Sequence, residues 1–323
     1  MKYFVTGATG FVGHALVKKL REQNHEVNAS VRDPSKARDL QAIGVKLFKG
    51  DVTDKESMRE AMQGVDGVFH VAGWYKIGAK EKNDGERVNI RGTRNVLELM
   101  QELKIPKGVY TSTCAINSDT HGQVVDESYH FNGKHISEYD RTKAAAHEIA
   151  KEFIAKGLPL VIVMPGLIYG PGDTSTLRDN IVSFLKGNLP ALPDQAGNCW
   201  AHVDDIVQGH ILAMEKGRIG ESYIISGERY TFIEAFKLAS EITGKPAPRT
   251  LPPQMFRVMS VLVKPFDGMM PPTYTSEGLR VIAGVTYMGD NSKAKHELGY
   301  NPRHFREGWG ETLRHEMKLL SMN

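Results

Sequence analysis

The run Thr6-Gly7-Ala8-Thr9-Gly10-Phe11-Val12-Gly13 constrains this chain more than any other, because it closes an apolar stretch, Lys2 to Thr6, and opens an amphipathic one, Phe11 to Asn24. Glycine lacks a Cβ, so Gly7 permits a tight turn out of a strand, Gly10 lets backbone approach a pyrophosphate, and Gly13 lets a helix pack closely on a sheet. In Phe11 to Asn24, residues Val12, Ala15, Leu16, Lys19 and Leu20 recur at helical spacing with one mostly apolar face. The N-terminus of such a helix offers unpaired N–H groups and the positive end of a dipole to an anion. Gly7, Thr9, Gly10, Phe11, Val12 and Gly13 are therefore the expected phosphate cradle.

Short runs rich in β-branched and aromatic residues alternate with longer amphipathic ones through the first half of the chain. They are Lys2 to Thr6, Val27 to Val31, Val45 to Lys49, Gly67 to Val71, Lys107 to Thr111 and Leu160 to Met164. This alternation predicts βαβ units, and hence an α/β fold with a doubly wound parallel sheet of the Rossmann type. After Pro165 the pattern changes: Gly and Pro cluster at Pro165-Gly166, Gly170-Pro171-Gly172 and Pro190 to Pro193. A helix is expected from about Val203, a short strand over Tyr223 to Ser226, and mostly helical segments to the end. Pro265 to Pro272 is the expected mobile loop, and no internal repeat is visible.

The 323 residues suggest about two domains. Apolar residues make up 41% and charged ones 24%, enough for a packed core and against dominant disorder. Lys and Arg total 41 against 38 Asp and Glu, and a net charge of +3 argues against nucleic acid or an acidic membrane surface as partner. The only cysteines, Cys114 and Cys199, exclude a disulfide scaffold or a four-thiolate metal site, and the 12 histidines are scattered, so no metal is expected. A reducing, cytoplasmic compartment fits this usage. The first strand begins at Lys2, leaving no room for a signal peptide, and no apolar run has membrane-spanning length.

A site that prefers NAD usually places a carboxylate at the end of the second strand to hold the ribose 2′-hydroxyl. Here Val31 is followed by Arg32-Asp33-Pro34, and a guanidinium at that place can grip a 2′-phosphate, with Lys36 and Arg38 nearby. NADP(H) is favoured, and Asp33 leaves NAD(H) open. Asp51 and Val52, after the third strand, would read the adenine edge, unless Thr53 or Asp54 only caps the next helix.

Tyr139 and Lys143 stand four apart on an expected helix, Ser137 to Ile154, and so share a face. A free phenol titrates near ~10, and a neighbouring ammonium is expected to draw it down toward neutral pH. Upstream, Tyr110-Thr111-Ser112-Thr113-Cys114 places hydroxyls at the carboxyl edge of the sheet, where ligands of this architecture bind.

The sequence resembles the extended short-chain dehydrogenases/reductases of the NAD(P)-dependent epimerase/dehydratase group, and within them the dihydroflavonol-4-reductase-like branch. The residues that carry this are the Thr6 to Gly13 run, Val31 to Pro34, Gly50-Asp51-Val52, His70 to Gly73, Val88-Asn89, Thr111 to Thr113, Tyr139 to Lys143, Pro165 to Asp173 and His202 to Asp205. They occur in the family's order and cover most of the chain up to about residue 230.

The resemblance implies that Tyr139 is the general acid or base, that Lys143 lowers its pKa and meets the nicotinamide ribose, and that Thr113, with Ser112 as the neighbour to confuse with it, binds the reacting oxygen. Asn89 matches a position that supports the active-site helix, though it could equally be a polar residue near a helix start. Val71, Ala72 and Gly73 would pass under the cofactor, with Thr111, Pro165, Gly166 and Ile168 completing its site. Asp204 and Asp205 would begin a helix rather than do chemistry.

Nucleotide-sugar enzymes of the group usually carry an arginine shortly before the His-Val-Asp-Asp segment, and here Asn198-Cys199-Trp200-Ala201 stands there. The expectation is therefore an NADP(H)-dependent reductase or dehydrogenase that interconverts a carbonyl and an alcohol on a small apolar or ring-bearing substrate. A sugar epimerase or dehydratase is the alternative, and a dinucleotide sensor without catalysis is a second one. Trp74, Tyr75, Asn117, Tyr169 and Trp200 are the candidate pocket residues, although aromatic residues are also core material. The family implies a homodimer through the helices Gly85 to Lys104 and Ser137 to Lys156. A cofactor domain is expected over 1–165, with 201–227 returning to it, and a smaller, mostly helical substrate-binding region over 166–200 and 228–323.

Overall fold

A computed structural model describes residues 1–78, 83–189 and 191–322; Pro190, in the expected Gly/Pro cluster, lies outside them. The strands in chain order are β1 (Lys2–Thr6), β2 (Glu26–Val31), β3 (Lys46–Lys49), β4 (Gly67–His70), β5 (Gly108–Thr111), β6 (Leu160–Pro165), β7 (Leu167–Tyr169), β8 (Ala191–Pro193), β9 (Gly197–His202), β10 (Ser222–Ile225), β11 (Arg229–Thr231), β12 (Arg249–Leu251) and β13 (Thr286–Tyr287). Seven of them form one sheet in the order β10-β6-β5-β4-β1-β2-β3. Every pairing in it is parallel. The expected Rossmann sheet is present, and the short strand near Tyr223 is its edge.

Both faces of this sheet are covered, which is why its strands read as nearly continuous apolar runs. In β1, Tyr3 and Val5 enter one core with Leu16, Val17 and Leu20 of the Phe11–Glu22 helix and Ile206, Val207 and Ile211 of the Val203–Lys216 helix. Phe4 points the other way, among Met58, Leu97, Met100, Ile149 and Phe153. Strand β6 repeats the alternation, with Val161 and Val163 on the first side and Leu160, Ile162 and Met164 on the second. Connections run outward from β1 to β2 and β3 on one side and through β4 on the other. The order in which strands are added therefore reverses between β1 and β4, and their carboxyl ends open a crevice there.

The later part of the chain carries more strand than its helical reading suggested. β9 pairs with β7 and β13 in parallel and with β11 antiparallel, while β8 and β12 form a separate pair. These strands are two to six residues long, too short for a period to declare itself in sequence. The segment expected to be a mobile loop holds two short 3₁₀ turns, Lys264–Phe266 and Pro272–Tyr274. Across it, Asp267 accepts hydrogen bonds from the Ser276 N–H at 2.6 Å and the Ser276 hydroxyl. Among the described residues no helix is long and apolar enough to cross a membrane.

Candidate active site

The crevice begins at Gly7, which adopts φ +73° where β1 turns; a Cβ there would sit 2.8 Å from the Cα of Ala72 beyond β4. Glycine removes both the steric cost of the left-handed backbone and that collision. At Gly13 a Cβ would stand 2.1 Å from the Gly7 carbonyl oxygen, so the first turn of the Phe11–Glu22 helix can lie directly on the loop. Gly10 caps this helix without any side-chain hydrogen bond. The first amides are thus left for an anion, and exposed Thr9 and Gly10 border them. This cradle, which side chains would fill, fits a dinucleotide pyrophosphate.

At the end of β2, Arg32 is exposed. Asp33 is engaged locally: its Oδ1 accepts from the Ser35 N–H at 3.1 Å and the Ser35 hydroxyl at 2.7 Å, capping a turn. Those bonds hold its carboxyl below the usual carboxylate range. Asp51 Oδ1 accepts from the Thr53 N–H at 2.8 Å and the Thr53 hydroxyl at 2.9 Å. Val52 is buried against Gly92, where a Cβ would approach to 2.8 Å. Past β4, Val71 and Ala72 are half-buried and Gly73 is exposed.

Tyr139 and Lys143 sit in the Glu138–Ala155 helix, capped by Ser137, whose hydroxyl accepts from the Asp140 N–H at 3.1 Å. Burial pushes the Tyr139 phenol up to about 12, although the neighbouring Thr113 side chain favours its ionised form. The expected downward pull of the ammonium is therefore not what these surroundings produce. The Nζ of Lys143 donates instead to the Thr111 carbonyl at 2.7 Å and the Tyr110 hydroxyl at 3.3 Å, and burial pulls it down to about 7. An amine only about half protonated at neutral pH exerts a weakened field on the phenol. Gly73 lies beside it, with a Cβ position 3.9 Å from Nζ.

The two neighbouring hydroxyls separate clearly. Ser112 is paired with His147 Nδ1 at 2.9 Å, whereas Thr113 meets Tyr139 and caps the 3₁₀ turn Cys114–Asn117. Thr111 is paired with His210 Nε2 at 2.8 Å. Asn89 is buried and fully used: its Oδ1 accepts from the Trp74 N–H at 2.7 Å, and its Nδ2 donates to the Trp74 carbonyl and the Thr142 hydroxyl, each at 2.9 Å. It staples the loop after β4 to the Tyr139 helix. Pro165 ends β6 beside Ile225, Ile168 is half-buried, and a Cβ on Gly166 would strike the Cys199 carbonyl oxygen at 2.1 Å.

The candidate pocket residues divide. Tyr169 and Trp200, each 1% exposed, pack in an aromatic core with Phe305 and Trp309. The Trp200 indole N–H donates to the Tyr230 carbonyl at 2.9 Å. Trp74 packs over Gly85, whereas Tyr75 is exposed. Asn117 is buried, and its Nδ2 has no hydrogen-bond partner. Asp204 and Asp205 stand in the first turn of the Val203–Lys216 helix, and Asp205 accepts from the Arg303 N–H at 3.1 Å.

A buried polar chain joins the phosphate loop to Lys143, and no sequence motif announced it. Thr6 Oγ1 accepts from the Val71 and Ala72 N–H groups, each at 3.1 Å, so its proton goes to His70 Nδ1 at 2.8 Å. His70 Nε2–H then donates to Thr93 at 3.0 Å, and the His70 ring stacks on Tyr110 with centroids 5.4 Å apart. Burial and the nearby Lys143 push His70 down to about 3, keeping it neutral. The signal was a polar His70 and Tyr110 inside otherwise apolar strands. Cys114 and Cys199 also meet, both thiols free, with their sulfurs 3.9 Å apart. Among the described residues no cluster could hold a metal ion.

This geometry has counterparts. Residues 3–226 match the family model described as the NAD dependent epimerase/dehydratase family. A putative dihydroflavonol 4-reductase of Synechocystis is 35% identical over 92% of this chain and 89% of its own. Sterol demethylase protein B of Methylococcus capsulatus is 29% identical over 97% of each chain. The crystal structure of gox2253 superposes with a TM-score of 0.84 at 31% identity, covering 99% of both chains. The chain thus belongs to the NAD dependent epimerase/dehydratase family, the extended short-chain dehydrogenases/reductases, in its dihydroflavonol-4-reductase-like branch, and is an NAD(P)-dependent oxidoreductase.

Proposed function

We propose that the chain is an NADP(H)-dependent reductase of a small, apolar or ring-bearing carbonyl compound. The observation that carries this is the placing of Tyr139 beside Thr113, with Lys143 next to Gly73, just past the Ala72 that meets Gly7. Gly7, Thr9, Gly10, Phe11, Val12 and Gly13 would hold the pyrophosphate; Arg32 would hold the 2′-phosphate, since the Asp33 carboxylate is already engaged by Ser35. Asp51 and Val52 would border the adenine, and Val71 to Gly73, Thr111, Pro165, Gly166 and Ile168 the nicotinamide half. When bound, the dinucleotide supplies the hydride in reduction or accepts it in oxidation.

The chain's own part is to orient the carbonyl and move one proton. Thr113 Oγ1 would hold the reacting oxygen, and the Tyr139 hydroxyl would donate its proton to that oxygen as negative charge develops there. A phenol pushed up to about 12 remains protonated at neutral pH, which suits the acid in the reducing direction. Lys143, once a bound dinucleotide adds charge beside it, would become a full ammonium and favour the phenolate left behind. Asn89 would act by position, fixing the helix that carries both residues.

The relatives' names support a reductase of apolar compounds. Where sugar-nucleotide enzymes of this group carry an arginine, β9 presents Cys199, Trp200 and Ala201, all buried. Residues 1–165 with 201–227 would bind the cofactor, 166–200 and 228–323 would close over the substrate, and the Tyr139 helix with the one before it would pair two copies. Calorimetric titration with NADPH and NADH, followed by a panel of aldehydes and ketones, tests the reading: tighter NADPH binding and ketone-dependent turnover support it. Stabilisation by UDP- or dTDP-sugars without ketone turnover would replace it with the epimerase reading.

A further inference from the structure

The Pro253–Val263 helix has two apolar faces. Phe256 and Val263 turn inward, onto Leu279, Ile282 and Ala283 of the segment after it. Met255, Val258, Met259 and Leu262 recur at helical spacing on the outward face and are exposed, Val258 and Leu262 by 59% and 65%. The stripe continues past the helix end through Phe266 and Met269, the latter 77% exposed. A run of exposed large apolar side chains this long marks an interaction surface.

Charge decides what covers it. The exposed charged side chains of residues 249–280, which include this helix and the segments on either side, are Arg249, Arg257, Lys264 and Arg280, all cationic. The acids of the same stretch are turned inward: Glu277 is buried and accepts from the Glu138 N–H at 2.6 Å, and Asp267 bonds Ser276. The surface is an exposed helix face of Met, Val and Leu side chains continued by Phe266 and Met269, in a stretch whose exposed charges are all cationic. This is the composition of a helix lying in a lipid headgroup layer. The net charge of +3 is too small for a general attraction, whereas within 249–280 every exposed charge is cationic.

We propose that this face seats the protein on an anionic lipid surface as a peripheral contact. It also places the site near that surface. The turn Pro272–Tyr274 packs on Gly78, where a Cβ would meet the Pro272 carbonyl oxygen and the Thr275 hydroxyl at 2.3 Å. Glu277, in the helix that the apolar stripe backs onto, holds the first N–H of the helix bearing Tyr139. An apolar carbonyl compound dissolved in lipid would thus have a short path to the crevice.

The test is co-sedimentation of the full chain with phosphatidylglycerol/phosphatidylcholine vesicles and with phosphatidylcholine alone. Binding is expected on the anionic vesicles, weakening with salt. It should fall roughly tenfold or more in a Val258→Glu/Leu262→Glu double variant, whose unchanged melting temperature and NADPH binding report an intact fold. Arg257→Glu/Lys264→Glu should remove the salt-sensitive part. No vesicle binding, or binding indifferent to the double variant, overturns the proposal. So does a dimer that the double variant splits without any vesicle binding, which would show a second copy covering the face. The assay needs neither substrate nor turnover, so its failure and that of the reductase reading are distinguishable.

Discussion

Lys143 Nζ stands 2.7 Å from the carbonyl oxygen of Thr111, held at the carboxyl end of β5 rather than against Tyr139. The strand that delivers the hydroxyls of Ser112 and Thr113 therefore also anchors the amine. Behind it Tyr110, which accepts from Lys143, stacks on His70, and His70 is bonded to Thr6 of the phosphate loop and to Thr93, so both ends of the cofactor crevice share one buried polar cluster.

Tyr139→Phe should reduce turnover by about 10²-fold or more, while NADPH affinity stays within a few-fold, because the change removes a proton donor and leaves the phosphate cradle intact. Steady-state rates with calorimetric Kd values check this. Retained turnover would remove Tyr139 from the chemistry.

Thr113→Ala and Ser112→Ala should behave differently although the residues are adjacent. The first should lower kcat. The second leaves buried His147 without its hydroxyl partner and should cost about 1–3 kcal/mol of stability, with a smaller effect on kcat. Melting temperatures and kcat measured on both variants separate the roles, and a reversed pattern would assign the reacting oxygen to Ser112.

Arg32→Ala should weaken NADPH far more than NADH, since the guanidinium would meet only the 2′-phosphate. Equal losses in the two Kd values would mean that Arg32 is simply solvated.

Asp140 is pushed up to about 7 by burial, beside the Glu277 carboxyl, against the hydroxyls of Ser137 and Tyr287 that favour its ionised form. Its unfolded value is near ~3.9. The raised folded value contributes stability that is fully present below about pH 4 and is lost as pH rises through about 7. Asp140→Asn cannot ionise, so its melting temperature should gain on that of the unsubstituted protein between pH 5 and 8. A gap that does not change with pH would mean that Asp140 titrates normally.

The sheet was legible in the sequence because burial on both faces leaves unbroken apolar strands, and the crevice because glycines at 7, 10 and 13 have few other uses at a strand-to-helix junction. What was not legible depends on contacts between distant positions. His70 meets Thr6 across 64 residues, and the two cysteines meet across 85. Tyr169 and Trp200 show a different limit. An aromatic ring suits a core as well as a pocket, and only the arrival of Phe305 and Trp309 assigns these two to the core. The small sheet around β9 went unseen because its partners are brief and far apart in the chain.

The central claim is that this crevice reduces a carbonyl with net consumption of NADPH. Its most direct measurement is NADPH absorbance followed with a panel of apolar ring ketones, with UDP- and dTDP-sugars run in parallel. Stoichiometric NADPH oxidation is expected with at least one ketone, slowed by about 10²-fold or more in Tyr139→Phe. Interconversion of a sugar nucleotide with no net change in NADPH, and no ketone reduced, would contradict it.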